Sequence, residues 1–287
     1  MSTDKKPTIA VLGTGLIGAP VARNLYKRGF TVHAWNRTAA KAHALVDDGI
    51  QAFDSPADAV RGADIIVTVL KDGPSVQEAL QAAAPALAKG AIWVQLSTVG
   101  IEGIAALAAL AEQHGLIFYD APVQGTRQPA ELAQLIILAS GPIAQREVVQ
   151  PVFDAIGKRT LWASERTGAS SRLKLALNSW AFALTHGLAE SLALAKGLGV
   201  DPALVVDVVT GGPMDSGYFQ AKAAAILADN YAASFSIANA VKDSRLVVDA
   251  AAQAGIQADI AQAGLQRFQR ALEAGHGDKD MAASFLA

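Results

Sequence analysis

Lys174 and Asn178 stand four residues apart in an otherwise apolar run from Leu173 to Phe182. That spacing puts both side chains on one face of a helix. A lysine on such a helix ordinarily lays its stem along the apolar surface and keeps its ammonium in water. Turned inward instead, the cation is desolvated, and its pKa falls from ~10.4 toward roughly 7–8. An amine in that range is an efficient proton donor or acceptor. Asn178 would then hydrogen-bond the ammonium or the oxygen it serves. Periodicity alone leaves both orientations open. A second lysine, Lys242, is followed by Asp243. On a helix, that doublet reads as an exposed charged face. The histidines at 33, 43, 114, 186 and 276 have no ligand spacing, and no metal site is expected.

Gly13-Thr14-Gly15-Leu16-Ile17-Gly18 is a G-x-G-x-x-G segment. It follows the apolar run Thr8–Leu12 directly and opens a helical pattern from Gly15 to Arg28, the context in which the motif is informative. Gly13 permits a tight turn, Gly15 lets backbone approach a pyrophosphate, and Gly18 lets helix and strand pack closely. The helix N-terminus offers unpaired N–H groups and partial positive charge to phosphates. About twenty residues on, an NAD site usually carries Asp or Glu for the ribose hydroxyls. Here the segment reads Asn36-Arg37-Thr38. Asn36 does not repel a 2′-phosphate, and Arg37 can pair with it bidentately, with Thr38 and Lys41 adding contacts. The expected cofactor is therefore NADP(H). Leu70-Lys71 and Ser97-Thr98 end later apolar runs and should line the same crevice. The Thr98 hydroxyl faces the nicotinamide side, caps a helix starting at Ile101, or does both.

The elements that must position these groups alternate. Strands are expected at Thr8–Trp35 in two runs (8–12 and 31–35), then at 64–70, 91–96, 116–119 and 134–139, with helices at 15–28 and 39–47. Strands alternating with helices imply a mostly parallel sheet of βαβ units. After Leu161-Trp162 the strand-like runs stop, and Ala- and Leu-rich helical periodicity takes over. The expectation is an α/β Rossmann domain over 1–164, followed by an all-α domain over 165–287. Thr167 or Ser170 would cap the long helix that opens the second domain.

Composition excludes several function classes. The 287 residues are 52% hydrophobic and 17% charged, enough apolar material for substantial cores. A net charge of −2 lacks the basic footprint of nucleic-acid binding. Without cysteine there is no disulfide framework, thiolate metal site or thiol nucleophile. The first residues lack the pattern of a secretory signal. The most apolar stretch, 173–200, is broken by Lys174, Asn178, His186, Glu190 and Lys196, so no membrane span is expected. A cytoplasmic location follows as the expectation.

Taken together, several segments resemble the β-hydroxyacid dehydrogenase family, which includes 3-hydroxyisobutyrate dehydrogenase, tartronate semialdehyde reductase and the glyoxylate/succinic semialdehyde reductases. They are Gly13–Gly18 with Asn24, Leu25 and Gly29; Trp35–Thr38; Asp120-Ala-Pro-Val123; Gly168 through Lys174 to Asn178; and Lys242-Asp243. They occur in family order over nearly the whole chain. The resemblance implies that Lys174 is the catalytic acid/base and that Asn178 orients it and supports the substrate. It also implies that Lys242 contacts the nicotinamide end of the cofactor and that Thr98 lies beside it. Val123, Gln124, Gly125 and Thr126 would bind substrate, and the family pattern implies a homodimer or homotetramer. The Gly211–Tyr218 loop, with Asp215, would form a further wall of the pocket or an ordinary helix connection.

The family segment Asp-Ala-Pro-Val-Ser-Gly-Gly is altered here. Gln124 replaces the serine, Thr126 the second glycine, and Pro129 and Ala133 the later glycines. These changes should reshape the pocket, and Arg127 becomes either a new anion ligand or a surface charge. Leu177 replaces the histidine expected of a 6-phosphogluconate dehydrogenase. Lys174 stands where imine reductases generally carry another residue. The resemblance thus implies an NADPH-dependent reductase of a small aldehyde, oxo acid or β-hydroxyacid. Its alternatives are a reductase of bulkier ketones or imines and a non-catalytic NADPH-binding protein.

Overall fold

In the computed structural model, which describes residues 6–287, the apolar runs of the first half become strands buried on both faces. The polar segment 1–5, ahead of the first strand, lies outside the described residues. The strands are β1 (Thr8–Leu12), β2 (Thr31–Trp35), β3 (Gln51–Phe53), β4 (Ile65–Thr68), β5 (Ile92–Gln95), β6 (Ile117–Asp120), β7 (Val123–Gln124), β8 (Leu135–Ser140) and β9 (Gly157–Ser164). Between them lie α1 (Gly18–Lys27), α2 (Ala39–His43), α3 (Pro56–Val60), α4 (Gly73–Ala83), α5 (Gly100–Gln113), α6 (Arg127–Glu131) and α7 (Arg146–Ile156). Side chains alternate across a strand. Accordingly Ile9 and Val11 enter one apolar layer, while Ala10 and Leu12 enter the layer on the opposite face. Covering both faces is what a parallel sheet requires.

The strand order is β3-β2-β1-β4-β5-β6-β8-β7, with β9 paired to β8. The pairs from β3 through β6 are parallel, and β8 runs antiparallel to β6 and β7. The mostly parallel Rossmann sheet is thus as expected. The order reverses direction between β1 and β4. Such a switch point opens a crevice beyond the carboxyl ends of the strands.

Several local expectations need correction. Helix α1 starts at Gly18, not Gly15, because residues 13–17 form a loop folded back on the helix start. A Cβ on Gly18 would lie 1.9 Å from the Gly13 carbonyl oxygen, and Gly13 itself has φ +106°. The single helix expected at 39–47 is α2 followed by a 3-10 turn, Val46–Asp48, which Gly49 closes in the left-handed region. Strands β3, β7 and β9 were not expected. β3 and β7 have three and two residues. β9 carries Lys158 and Arg159 on a half-exposed edge, which hides its apolar period.

Two compact units divide after Lys174. The long helix α8 (Ala169–Gly197) begins in the first unit and continues into the second. Next come α9 (Pro202–Val209), α10 (Gly217–Leu227), α11 (Ile237–Gln253) and α12 (Asp259–Ala271). Asp201, Ser216 and Ser236 cap α9, α10 and α11 with their side chains. Phe182, Leu192, Ile237 and Phe268 centre this unit's core. A buried ion pair, Lys222 Nζ to Asp280 Oδ1 at 2.5 Å, ties the C-terminal turn to α10. Asp280 also accepts from the Ser234 and Phe235 amides. Burial pushes this carboxyl up, but Lys222 and the hydrogen bonds outweigh it and leave the pKa lowered. No helix of the described residues is long and apolar enough to cross a membrane.

His186 is buried in the same core, with Nδ1 2.9 Å from Ser284 Oγ and its ring centroid 4.1 Å from that of Phe268. Burial first, then the Arg267 and Arg270 guanidiniums, push its pKa from 6.5 down to about 4. The unfolded chain takes up this proton near 6.5, so below that pH the unfolded state binds more protons. Stability should therefore fall as pH drops from 6.5 to 4, by about 3 kcal/mol in all. A His186→Gln variant lacks this titration. Urea unfolding at pH 7 and 4.5 should show wild type losing more stability than the variant. Equal losses would contradict the assignment.

Candidate active site

Strand register sets the edge on which the site is built. Trp35 pairs with Leu12, Leu12 with Thr68, Thr68 with Gln95, and Gln95 with Asp120. The residues that follow these strand ends therefore share one level along the carboxyl edge. From β2 to β6 that edge spans roughly 19 Å, four inter-strand steps.

At its middle lies the glycine loop. The Gly13 amide donates to the Trp35 carbonyl at 2.8 Å. A Cβ on Gly13 would be 2.2 Å from the Val69 carbonyl oxygen and 2.9 Å from Leu70 Cδ2, so the loop and the end of β4 touch. A Cβ on Gly15 would meet no protein atom within 4 Å. Open space at the second glycine, against crowding at the first and third, fits a ligand approaching that backbone. Helix α1 has no side-chain cap and no acidic residue in its first turn. The buried Thr14 hydroxyl has no hydrogen-bond partner among the described residues. This arrangement fits a pyrophosphate.

At the β2 end, Asn36 Oδ1 accepts from the Thr14 amide at 3.0 Å, and its Nδ2 donates to the Thr38 carbonyl at 3.1 Å. Asn36 thus braces the loop. Arg37 and Thr38 are exposed. At the other side of the loop, Leu70 is half-buried and Lys71 exposed. Ser97 Oγ accepts from the Leu70 amide at 2.8 Å, joining the ends of β4 and β5. Thr98 is half-buried, and α5 starts at Gly100 from Val99, whose side chain makes no cap.

Asp120 ends β6 inside the fold, where a lone carboxylate would be costly. Its Oδ2 accepts from the Gly168 amide at 3.1 Å and the Ser171 amide at 2.8 Å, and Oδ1 accepts from Ser171 Oγ at 2.8 Å. The Ser170 amide donates to Ser140 Oγ, at the end of β8. Burial pushes the Asp120 carboxyl up, against the opposing pull of these hydrogen bonds. Helix α8 is thus capped from two strand ends, which replaces the cap expected from Thr167 or Ser170. The Ser170 hydroxyl is buried without a hydrogen-bond partner among the described residues.

That cap places Lys174 one turn into α8, 9% exposed. Its Nζ donates to Gln124 Oε1 at 3.0 Å. The amine therefore does not extend into water, and one of the two orientations left open by periodicity is the one present. Val123 is buried, and Gln124, Gly125 and Thr126 are half-buried around it. Asn24, in α1, donates to the Ala130 carbonyl at 2.7 Å and fixes α6 behind this segment. Arg127 pairs with Glu131 at 2.7 Å on the surface.

In the second unit, Asn178 follows one turn further along α8 and is buried. Its Nδ2 donates to Asp243 Oδ2 at 3.0 Å. Lys242 Nζ lies 2.5 Å from Asp243 Oδ1, a meeting of charges rather than an aligned hydrogen bond. The Lys242-Asp243 doublet is therefore not the exposed face expected from its pattern. Its side chains are 20% and 3% exposed. Asp215 accepts from the Gly211 amide and from Gln220 Nε2, both at 2.8 Å. The Gly211 hydrogen bond, then Gln220, lower its pKa and close the loop on itself.

Sequence reading missed Asp120, Ser140 and Ser171 as anchors. A carboxylate closing a strand as apolar as Ile-Phe-Tyr was the available signal.

Comparisons with known proteins agree with this layout. Residues 8–164 match the family described as the NAD binding domain of 6-phosphogluconate dehydrogenase. Residues 168–286 match that of NADP-dependent 3-hydroxyisobutyrate dehydrogenase. The chain is 30% identical over 278 residues to glyoxylate/succinic semialdehyde reductase 1 of Arabidopsis thaliana, covering 96% of each protein. A solved 3-hydroxyisobutyrate dehydrogenase from Mycobacterium tuberculosis, with L-serine, is 26% identical with a TM-score of 0.87, covering 98% of both chains. The Salmonella typhimurium structure of that name has a TM-score of 0.91 over 98% of this chain and 99% of its own. At 24% identity that last likeness is one of fold.

Proposed function

This chain belongs to the 3-hydroxyisobutyrate dehydrogenase family of NAD(P)-dependent oxidoreductases, and from that premise we propose that it is an NADPH-dependent reductase of small carbonyl compounds. The substrate class is an aldehyde or oxo acid, with oxidation of the matching hydroxyacid as the reverse reaction. The single observation that carries the reading is the placement of Lys174. Its amine is withdrawn from water on a helix fastened to the same strand edge that carries the glycine loop.

When bound, the dinucleotide supplies the hydride that reduces the carbonyl carbon. The backbone from Gly13 to Ile17 holds its pyrophosphate, and Arg37, with Thr38, holds the 2′-phosphate. Leu70, Lys71 and Thr98 line the nicotinamide side of the edge. Lys174 gives its ammonium proton to the carbonyl oxygen as negative charge develops there. The N–H bond breaks, an O–H bond forms, and the electron pair stays on nitrogen. A proton taken up from solvent then restores the ammonium, so the reduction consumes one proton overall. In the same reading Asn178, steadied by Asp243, supports the substrate oxygen, and Lys242 serves the nicotinamide end of the cofactor. Val123 to Thr126 contact substrate. Trp180, Leu184 and Leu194 lie exposed along α8, with Leu198 just past its end, an apolar stripe that supports assembly with a second copy.

A substrate panel tests the proposal. Glyoxylate, succinic semialdehyde, further 2- and 3-oxo acids and 3-hydroxyacids are followed by consumption or formation of NADPH. At least one should reach kcat/KM of about 10⁴ M⁻¹s⁻¹ or more. A protein that binds NADPH but turns over no member of the panel would point to the non-catalytic alternative.

A further inference from the structure

Gln124 touches the amine on which the proposed reaction depends, and both ends of that contact are rigidly built. Its backbone lies in β7, in register with Ile136 of β8. Gly125 follows at φ +130°, where an added Cβ would lie 2.9 Å from Leu135 Cδ2 and 3.0 Å from Pro129 Cβ. The turn after Gln124 is therefore packed tight, and Pro129 is part of that packing. On the other side, Asp120 and Ser140 hold the first turn of α8. A glutamine side chain spans the gap, and Oε1 meets Lys174 Nζ at 3.0 Å.

We infer that Gln124 is a positioning residue for this reaction: its amide oxygen takes one ammonium N–H of Lys174, fixes the orientation from which the amine gives its proton, and keeps the amine in its proton-donating form. The inference rests on the proposed role of Lys174. A lysine ammonium has three donors on a flexible stem. Fixing one of them fixes the directions of the others and lowers the ordering that substrate binding must supply. A neutral oxygen accepting from a cation also favours the charged form over the free amine. A carboxylate in its place would favour it more, and a thioether would not favour it at all.

The test is the pH dependence of kcat for carbonyl reduction in wild type, Gln124→Met and Gln124→Glu, with Lys174→Met as control. Reduction needs the ammonium, so the rate falls as pH rises through the titration of the amine. This alkaline limb should move to lower pH in Gln124→Met and to higher pH in Gln124→Glu, each by about one pH unit. At neutral pH, Gln124→Met should lose about tenfold in kcat, with a smaller change in NADPH affinity. Thermal melts establish that each variant is folded. A merely structural role would change the melting temperature and leave the limb in place. If Lys174→Met abolishes turnover while both Gln124 variants keep the wild-type limb, the Gln124 assignment falls and the role of Lys174 stands. If Lys174→Met keeps both turnover and limb, both fall.

Discussion

An Arg37→Asp variant should invert cofactor choice, with the ratio of kcat/KM for NADPH to that for NADH falling by roughly 10²–10³-fold. The exposed guanidinium lies just beyond β2, and none of the ion pairs among the described residues involves it. Its neighbour Asn36 commits its amide to Thr14 and Thr38, so it brings no negative charge. A phosphate on the adenosine ribose would meet a fork of donors that matches it bidentately. Charge-assisted hydrogen bonds of this kind contribute about 1.5–3 kcal/mol. Aspartate removes them, repels the phosphate, and offers an acceptor to a free 2′-hydroxyl, as NAD sites do. The effect should lie in KM and in the dissociation constants, because the 2′-phosphate that Arg37 is proposed to hold takes no part in the reaction. Arg37→Leu should fall between the two. An unchanged ratio in the aspartate variant removes Arg37 from the account, leaving the glycine loop as a binder of either nucleotide.

Lys174→Met should lower kcat for carbonyl reduction by about 10³-fold, within the range that a positioned general acid contributes. Methionine matches the lysine stem in length and suits an apolar helix face, so the fold should persist. The residues assigned to the cofactor are untouched, and the NADPH dissociation constant should change by less than about threefold. The contrast between kcat and cofactor affinity separates a lost proton donor from a damaged protein. Lys174→Arg should not restore activity. A guanidinium keeps the positive charge, but it holds its proton far more tightly than an ammonium and is a poor proton donor at neutral pH. If arginine matched lysine, the role of position 174 would be electrostatic rather than acidic.

Much of this site could be read from local pattern, and the limits of that reading have a physical cause. Runs such as Ile65–Thr68 and Ile92–Gln95 are apolar throughout because the sheet is covered on both faces. A glycine loop straight after such a run has few alternative meanings. The spacing of Lys174 and Asn178 likewise gives a shared helix face. Which way that face turns is decided elsewhere, by contacts between residues far apart in the chain. Asp120 reaches Ser171 across 51 positions, and Gln124 reaches Lys174 across 50. No periodicity encodes such pairings. The helix cap shows the same limit, since Thr167 and Ser170 are local candidates while the caps come from the ends of β6 and β8. The Lys242-Asp243 doublet looked like surface because charged pairs usually are. Burial of Asp243 against Asn178 is a tertiary fact with no trace in the doublet itself.

Single-turnover reduction of a small aldehyde by NADPH prebound to Lys174→Ala, with and without added trimethylammonium, which donates a proton but cannot condense with the aldehyde, tests the central claim most directly. The account predicts slow transfer without the amine and a rate that rises with trimethylammonium concentration, as the missing donor is resupplied. Transfer at the wild-type rate with no amine added would contradict it.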